Sequence, residues 1–524
     1  MTKHYGSGSD MNQKILKGIN ILADNVASTL GPRGRNVILQ EKNKRPIITK
    51  DGVTVAEFVD LEDPIENAGA QIIKQAAAQT NLDAGDGTTT ATVLARAILN
   101  KAQRYLSSGV PPIELQRGIE KAVAVAVENL KEMSQPITCE DDISHVATIS
   151  ANNDKVIGKL IGQAVSAAGK DGAITVEEAR SHQTSLDLVE GFRMDAGFAA
   201  TAFITDERRR SVTYDNPLLL VTDEKIEHVQ DIMGILELSA REARPLIFIA
   251  GEVEGQALAA MIMNAMKGTL KIAAIKAPCY GEERQNILKD LALSTGANFI
   301  SRSCGRKMNE VKLADFGTAS RIDITRVQTT IIDGEGDHNL IDQKIEELKS
   351  DLIHEENLHA CEKIQDRIAR LSSGIAIIRV GASTEIEMIE KKHRIEDALE
   401  AVRSAQMEGI ICGGGAALLR ATKNLKVDVD NADQAFGVEI VREAVKAPLR
   451  QMAINAGKSP DIICELVLGN LQKDNYGYNF VADKMMDLLE AGVIDPFKVT
   501  RTALQNAASV AGTLLTTNCA VIEK

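Results

Sequence analysis

Helical sequence at both ends of the chain encloses a middle stretch in which strand-like and helical runs alternate, and few architectures accommodate that order. Residues 11–30 carry apolar positions at helical spacing and stop at Gly31-Pro32, a helix-terminating pair. NVILQ and PIITK then read as two short strands around the charged turn EKNKR, and KDGVTVAEFV follows with Asp51-Gly52 at a turn. An Ala-rich helix is expected over about 65–80, a second from the Thr triplet to about 106, and a third over 112–134. From about 170 to 335 the runs AITVEEA, PLLLVTD, PLIFIAG, LKIAAIKAP, NFISRS and TRVQTTIIDG alternate with helical stretches, the texture of an α/β domain. Residues 340–371 form a charged amphipathic helical stretch with a break near His354–Asn357. Its apolar stripe is Ile345, Leu348, Leu352, Ile364, Ile368 and Leu371. GIAIIRVGA is a further strand. From 385 long helices return, interrupted at Gly413-Gly414-Gly415, and AVIEK is an edge strand. The economical arrangement is one discontinuous helical domain with another domain inserted into it.

A length of 524 residues exceeds a single compact core, so two to four domains are expected. Aromatics make up 3% of the chain and Trp is absent, which leaves Ala, Val, Ile, Leu and Met to build the cores. A formal net charge of −13 disfavours general nucleic-acid binding, which needs a basic surface. No apolar run approaches the roughly 20 residues of a membrane span, and the polar start MTKHYGSGSD has no secretory apolar region, so a cytoplasmic protein without membrane partners is expected. The cysteines at 139, 279, 304, 361, 412, 464 and 519 include no C-x-x-C pair and read as reduced thiols. His354 and His359 are not at the spacing of a helical metal pair.

Chemistry enters with Asp83-Ala84-Gly85-Asp86-Gly87-Thr88-Thr89-Thr90, small residues leading into a hydroxyl-rich helix start. The unpaired N–H groups and positive dipole end of such a helix suit phosphate. Asp86 would repel phosphate unless a cation lay between them, which makes it a candidate Mg²⁺ ligand. A Gly-rich turn with Thr caps explains the same letters. Thr29 to Arg35 forms a second glycine-bearing helix end, readable as a ligand loop or as an ordinary stop. Lys50-Asp51-Gly52 is a charged turn or a solvated hairpin tip, and the Gly413 to Gly415 run is a nucleotide approach or a tight helix contact. Gly457-Lys458-Ser459 ends like a P-loop, but Met452 stands where its leading Gly belongs, and no G-x-G-x-x-G follows a strand. On residues alone two readings stand: a phosphate site of an unfamiliar kind, or a set of capped and glycine-bearing turns.

Eight segments, AGDGTTTATVLARAI, TLGPRGRNV, ITKDGVTVA, ATISANND, RIEDALEAVRSA, EGIICGGGAAL, NYGYNF and GVIDPFKVTRTALQNAASVAG, resemble group I chaperonin (GroEL-type) signatures at the family's spacing, across about residues 10–520. The resemblance implies a multidomain fold: a mostly helical equatorial ATP-binding domain (1–132 and 408–524), a small α/β intermediate hinge domain (133–189 and 375–407) and an α/β apical domain (190–374). It implies an ATP-dependent chaperone and ATPase with Mg²⁺ and room for K⁺. Thr29, Leu30, Gly31, Pro32, Lys50, Asp86, Gly87, Thr88, Thr89, Thr90, Gly414, Asn479, Phe480, Val481 and Asp495 match positions around ATP. Asp86 matches the metal ligand, Asp397 the carboxylate that orients or activates water, and Asp51 a second acid near the γ-phosphate. Phe198, Phe203, Met233, Leu236, Leu258, Ile262 and Met263 match an exposed apolar groove for unfolded client proteins, also the docking site of a GroES-type co-chaperonin. The implied assembly is a homo-oligomer, a seven-membered ring, single or double.

The chain departs from the pattern in places. It ends NCAVIEK in place of a Gly-Gly-Met-rich tail. Arg450 matches an arginine that pairs across rings, but Ser459 and Ala432 replace acids and Lys458 adds positive charge, which favours a single ring. Ala202, Gly234 and Ala196 alter the apical surface, leaving client range open. A divergent paralogue that holds clients without productive cycling is the second expectation; a small-molecule kinase lacks its motifs.

Overall fold

A computed structural model describes residues 3–40, 46–168, 173–179, 182–207, 209–301, 305, 308–354, 358–372, 374–423, 425–470 and 475–523. The turn EKNKR at 41–45, residues 355–357 of the expected helix break, and Cys304 lie outside the described residues. Along the chain come β1 (Lys3–Ser7), α1 (Gly8–Ala27), β2 (Val37–Leu39), β3 (Ile47–Thr49), α2 (Gly52–Phe58), α3 (Pro64–Ala84), α4 (Thr88–Ser107), α5 (Pro112–Glu132), α6 (Glu140–Ser150) and α7 (Lys155–Ala168). Strands dominate next: β4 (Ala173–Glu178), β5 (Ser185–Met194), β6 (Val212–Asp215), β7 (Leu218–Val221), β8 (Lys225–Ile226), α8 (Val229–Glu242), β9 (Leu246–Ala250), β10 (Glu252–Val253), α9 (Gly255–Met266) and β11 (Ile272–Lys276). Then follow α10 (Gly281–Thr295), β12 (Gly317–Ile324), β13 (Thr329–Gly334), α11 (His338–His354), α12 (Leu358–Ser372) and β14 (Gly374–Val380). The last part holds α13 (Glu385–Glu408), β15 (Ile410–Cys412), α14 (Ala416–Ala421), α15 (Ala432–Ala444), α16 (Ala447–Asn455), α17 (Pro460–Gly469), β16 (Tyr476–Asn479), β17 (Lys484–Asp487), β18 (Ile494–Pro496), α18 (Phe497–Leu515) and β19 (Cys519–Glu523).

The chain divides into two compact units: Met1–Gln163, Glu178–Thr184 and Val380–Lys524 form the first, Ala164–Glu177 and Ser185–Arg379 the second. Segments 133–163 and 380–407, expected in a separate hinge domain, fall in the first unit.

The first unit is a helical layer fold whose core joins residues from both ends of the sequence. Ile19, Leu22, Leu94, Ile98, Leu115 and Ile119 pack with Val441, Leu449, Leu504 and Ala507, and all are buried. Each fully buried Leu or Ile contributes about 1.5–3 kcal/mol. Helices come unusually close because glycines face each other's backbone. A Cβ on Gly118 of α5 would lie 2.1 Å from Gln434 O of α15, and one on Gly437 of α15 would lie 2.5 Å from Leu115 O of α5. The α1–α3 pair repeats the device: a Cβ on Gly18 would lie 1.9 Å from Glu66 O, and one on Gly69 2.5 Å from Ile15 O. Small residues at the seams explain how a core nearly free of aromatics still packs tightly.

The second unit is built on a sheet in the order β11-β9-β7-β12-β13-β5-β14-β4, with β6 also paired to β12. Strands β7, β9 and β11 run parallel and read as near-continuous apolar runs (LLLV, LIFIA, IAAIK), as strands covered on both faces do. The remaining paired strands β12, β13, β5 and β14 are antiparallel. Arg367 of α12 grips Asp290 of α10 through two hydrogen bonds of 2.8 and 2.7 Å, closing the helical side.

Most expected elements are present, with three differences. Residues 52–58, given no element from the sequence, are a helix capped by Asp51, whose carboxylate accepts from Val53 N and Thr54 N, both at 3.1 Å. The polar start of the chain contains β1, which pairs antiparallel with β19, so the expected edge strand has a partner from the opposite end. The short ladders β15–β18 and β16–β17 carry too few residues for periodicity to reveal them. Among the described residues no helix is long and apolar enough to cross a membrane.

Candidate functional site

Every residue lining a cavity of about 260 Å³ belongs to the first unit. The cavity is lined by Thr29, Leu30, Gly31, Pro32, Lys50, Asp51, Asp86, Gly87, Thr88, Thr89, Thr90, Asp397, Gly414, Asn479, Phe480, Val481 and Asp495, which brings together all the nucleotide-site and catalytic candidates.

Backbone geometry accounts for the glycines. Helix α3 ends at Gly85 in the left-handed region (φ 72°), and Gly87, also left-handed (φ 87°), caps α4. No side chain caps α4, so the Thr residues at its start are not its caps, and a helix start of this kind offers N–H groups that suit an anion. Gly52 lets the start of α2 abut that of α4: a Cβ there would lie 2.3 Å from Thr89 Oγ1. Gly31 (φ 79°) sits on Met452, whose Cγ would be 2.7 Å from an added Cβ.

Lys50 Nζ donates to Gly31 O at 3.0 Å and to Asn152 Oδ1 at 2.9 Å. Burial, with repulsion from Arg394 as the smaller cause, lowers its ammonium to about 8. Asp86 accepts from Gly87 N and, at 2.9 Å, from Ser150 Oγ. Burial pushes its carboxyl up, the two hydrogen bonds oppose this, and the Asp51 charge adds to it. Asp495 is pushed up to about 7, by burial first and by Asp86 second. Asp397 lies on α13, which also supplies Glu390, His393 and Arg394 to the lining. Arg394 pairs with Glu390 and keeps a buried Nε without a hydrogen-bond partner among the described residues. Asn479 spends its Oδ1 on Val481 N (2.9 Å) and Ala482 N (3.0 Å), shaping the turn that presents Phe480 and Val481.

Two features fit a magnesium triphosphate. Asp86 and Asp495 are carboxyls raised by burial and by neighbouring acids, a charge deficit that a cation relieves. The open α4 terminus, Lys50 and the unpaired Arg394 Nε are donors for phosphate. Among the described residues no three His, Cys, Asp or Glu groups converge as a metal site by themselves. A cation here would take its remaining ligands from phosphate and water, as Mg²⁺ commonly does.

Sequence reasoning missed Ser150, Asn152 and the α13 residues beside Asp397. The segment ATISANND was singled out without assigning either residue; Asn152 (φ 58°) and Asn153 (φ 65°) are both left-handed, a conformation that an Asn-Asn pair favours. His393 and Arg394 precede Asp397 by four and three residues, spacings that share a helix face.

The apolar candidates occupy the second unit. Met233 and Met263 are 56% and 54% exposed, joined by Met266 at 74%. Leu236, Leu258 and Ile262 are half-buried, seated on the core beneath and partly open, and Phe198 is also half-buried. Phe203 is a correction: at 2% exposure it belongs to that core and is no part of an open surface. Gly234 has nothing within 4 Å of an added Cβ, Ala202 is exposed and Ala196 is buried. Arg450 pairs with Asp461 of its own chain at 2.5 Å, and Lys458 with Asp483 at 2.7 Å.

A family model described as the TCP-1/cpn60 chaperonin family matches residues 22–524. Two crystal forms of the chaperonin gp146 from the bacteriophage EL 2 (Pseudomonas aeruginosa), both in presence of ATP-BeFx, are similar in fold. Form II has TM-score 0.67 and form I 0.63, each at 20% identity and over 99% of both chains. With nearly its whole length matched, and with helical and α/β units ordered as the signatures imply, this chain belongs to the TCP-1/cpn60 chaperonin family as a group I chaperonin-like member.

Proposed function

We propose that this chaperonin is an ATP hydrolase that uses the cavity of its first unit to drive capture, enclosure and release of non-native proteins. The observation that carries the reading is convergence: Asp51, Asp86, Asp397 and Asp495, distant along the sequence, line one cavity with Lys50 and an uncapped helix start. The similar phage chaperonin was crystallised in presence of ATP-BeFx, which supports nucleotide as the ligand here.

In this reading the N–H groups of Thr88–Thr90 and the Lys50 ammonium hold phosphate oxygens. Asp86 would hold Mg²⁺, which when bound supplies charge neutralisation to the phosphoryl group. Asp397 orients the attacking water and takes its proton, with Asp51 as the second acid beside it. Phe480 and Val481 border the base, and a K⁺ ion is compatible with the remaining acids. Met233, Leu236, Leu258, Ile262 and Met263 form the client surface, where flexible Met suits varied partners. A GroES-type lid, a seven-membered homo-oligomeric ring and a cytoplasmic setting complete the proposal. The self-paired Arg450 supports a single ring, which native mass spectrometry would detect.

Steady-state hydrolysis by the purified protein and by Asp397→Ala tests the reading. The expected result is a kcat lower by about 100-fold or more with nucleotide binding within a few fold of the parent. Equal rates would overturn it.

A further inference from the structure

The β16–β17 hairpin lines the cavity with Phe480 and Val481 of its turn, and Asp483 closes that turn in the left-handed region (φ 57°) with its N–H on Asn479 O at 2.8 Å. Its carboxylate is shared between two partners. Oδ1 accepts from the Tyr478 hydroxyl at 2.5 Å, and Oδ2 accepts from Lys458 Nζ at 2.7 Å. The Tyr478 ring meets Phe480 edge-on, centroids 5.1 Å apart, and both line the cavity. Lys458 stands in the turn between α16 and α17, where Gly457 is left-handed (φ 69°). The same end of α16 also holds the opposite lip: Asn455 Nδ2 donates to Ala27 O and Leu30 O, both at 2.9 Å. Two walls of the cavity therefore share one anchor, and only one is held through an ion pair with half-exposed members.

We propose that Asp483 is a positioning residue for the nucleotide base: by joining the Tyr478 hydroxyl to the Lys458 ammonium it holds the aromatic wall of the cavity in place. The inference rests on the nucleotide reading above and adds base selection and a surface-accessible control point to it. A loosened wall loses stacking area on the base but leaves Asp397 and the phosphate groups alone. Binding and base discrimination therefore weaken while the chemical step does not. A group that competes for Lys458 would weaken nucleotide binding in the same way.

The test uses the full-length protein, with steady-state hydrolysis of ATP and CTP and thermal melts for the parent, Asp483→Asn, Lys458→Met and the double variant. Asn tolerates the left-handed turn and still accepts from Tyr478, so Asp483→Asn removes the charge without removing the turn. Lys458 is half-exposed, so its variant folds even if the other does not. The expected result is a KM for ATP raised about two- to fivefold in each single variant, the range of an exposed ion pair. The ratio of kcat/KM for ATP over CTP falls, kcat stays within twofold, and the double variant is no worse than either single one. Unchanged KM and base ratio in both single variants, whatever the melts show, would overturn the inference alone. A parent that neither binds nor hydrolyses ATP would overturn the nucleotide reading, and the inference with it.

Discussion

At the scale of single residues, the cavity trades stability for charge. Lys50, lowered to about 8 from 10.5 by burial, loses its proton in the pH range where activity is commonly measured. A triphosphate would restore the proton, so affinity depends on pH: above 8 the nucleotide Kd is expected to rise by up to about tenfold per pH unit, flattening in Lys50→Met. Isothermal titration at pH 7, 8 and 9 checks this. The empty protein follows the opposite trend. Between about 8 and 10.5 the unfolded chain keeps the Lys50 proton that the folded one has lost, so this group's contribution to stability grows as pH rises. Asp495 works the other way: with its carboxyl raised to about 7 from 3.8, the fold holds the proton that the unfolded chain releases, and stability falls as pH rises across that window. Asp495→Asn should therefore stabilise the empty protein at pH 8 by about 1–3 kcal/mol, a gain that disappears near pH 4. Urea unfolding at the two pH values measures it. Both effects come from groups whose burial cannot be read from the letters K and D. The sequence resemblance selected Lys50 and Asp495, but not that Lys50 leans on Asn152 or that burial and the Asp86 charge raise the Asp495 carboxyl.

At the scale of elements, close helix approach decides which substitutions are tolerated. By propensity alone Gly437→Ala would gain about 1 kcal/mol. An added Cβ, 2.5 Å from Leu115 O and 2.7 Å from Ile119 N, forces α15 away from α5, so the expected outcome is a loss of about 1–3 kcal/mol in thermal or urea unfolding. The helices themselves were legible because α1, α3, α4 and α5 carry long apolar periodicities with Pro and Gly at their limits. Segment 52–58 was left without an element, since Val-Thr-Val favours strands and the Asp51 cap makes it a helix. The three-residue β15–β18 ladder left no pattern to find, because its strands lie far apart along the chain, whereas the equally short β2–β3 pair flanks a turn and was legible. The apolar face of α9 shows the same boundary. Its composition favours a buried helix over a client surface, and burial alone separates Met261, fully enclosed, from Met263 and Met266, which are open.

At the scale of the whole molecule, the cavity lining lies in the first unit, while Met233, Met263 and Met266 are exposed on the second. Leu258→Ser should reduce capture of a denatured client, read by light scattering, while leaving ATP hydrolysis within about twofold, since Leu258 lies in the second unit and the cavity lining in the first. Unchanged capture would remove this face as the client surface. The joint core of the first unit also sets an order of events during synthesis. Helix α5 ends at Glu132 and its glycine-matched partner α15 begins at Ala432, so 300 residues must leave the ribosome before the two can meet. At roughly 5–20 residues per second that interval is about 15–60 s. The inserted unit, complete at Arg379, can fold in the meantime, while the amino-terminal helices wait with the faces that α15 and α18 will cover still open. A nascent chaperonin thus spends its first minute as the kind of half-finished polypeptide that chaperones exist to shelter.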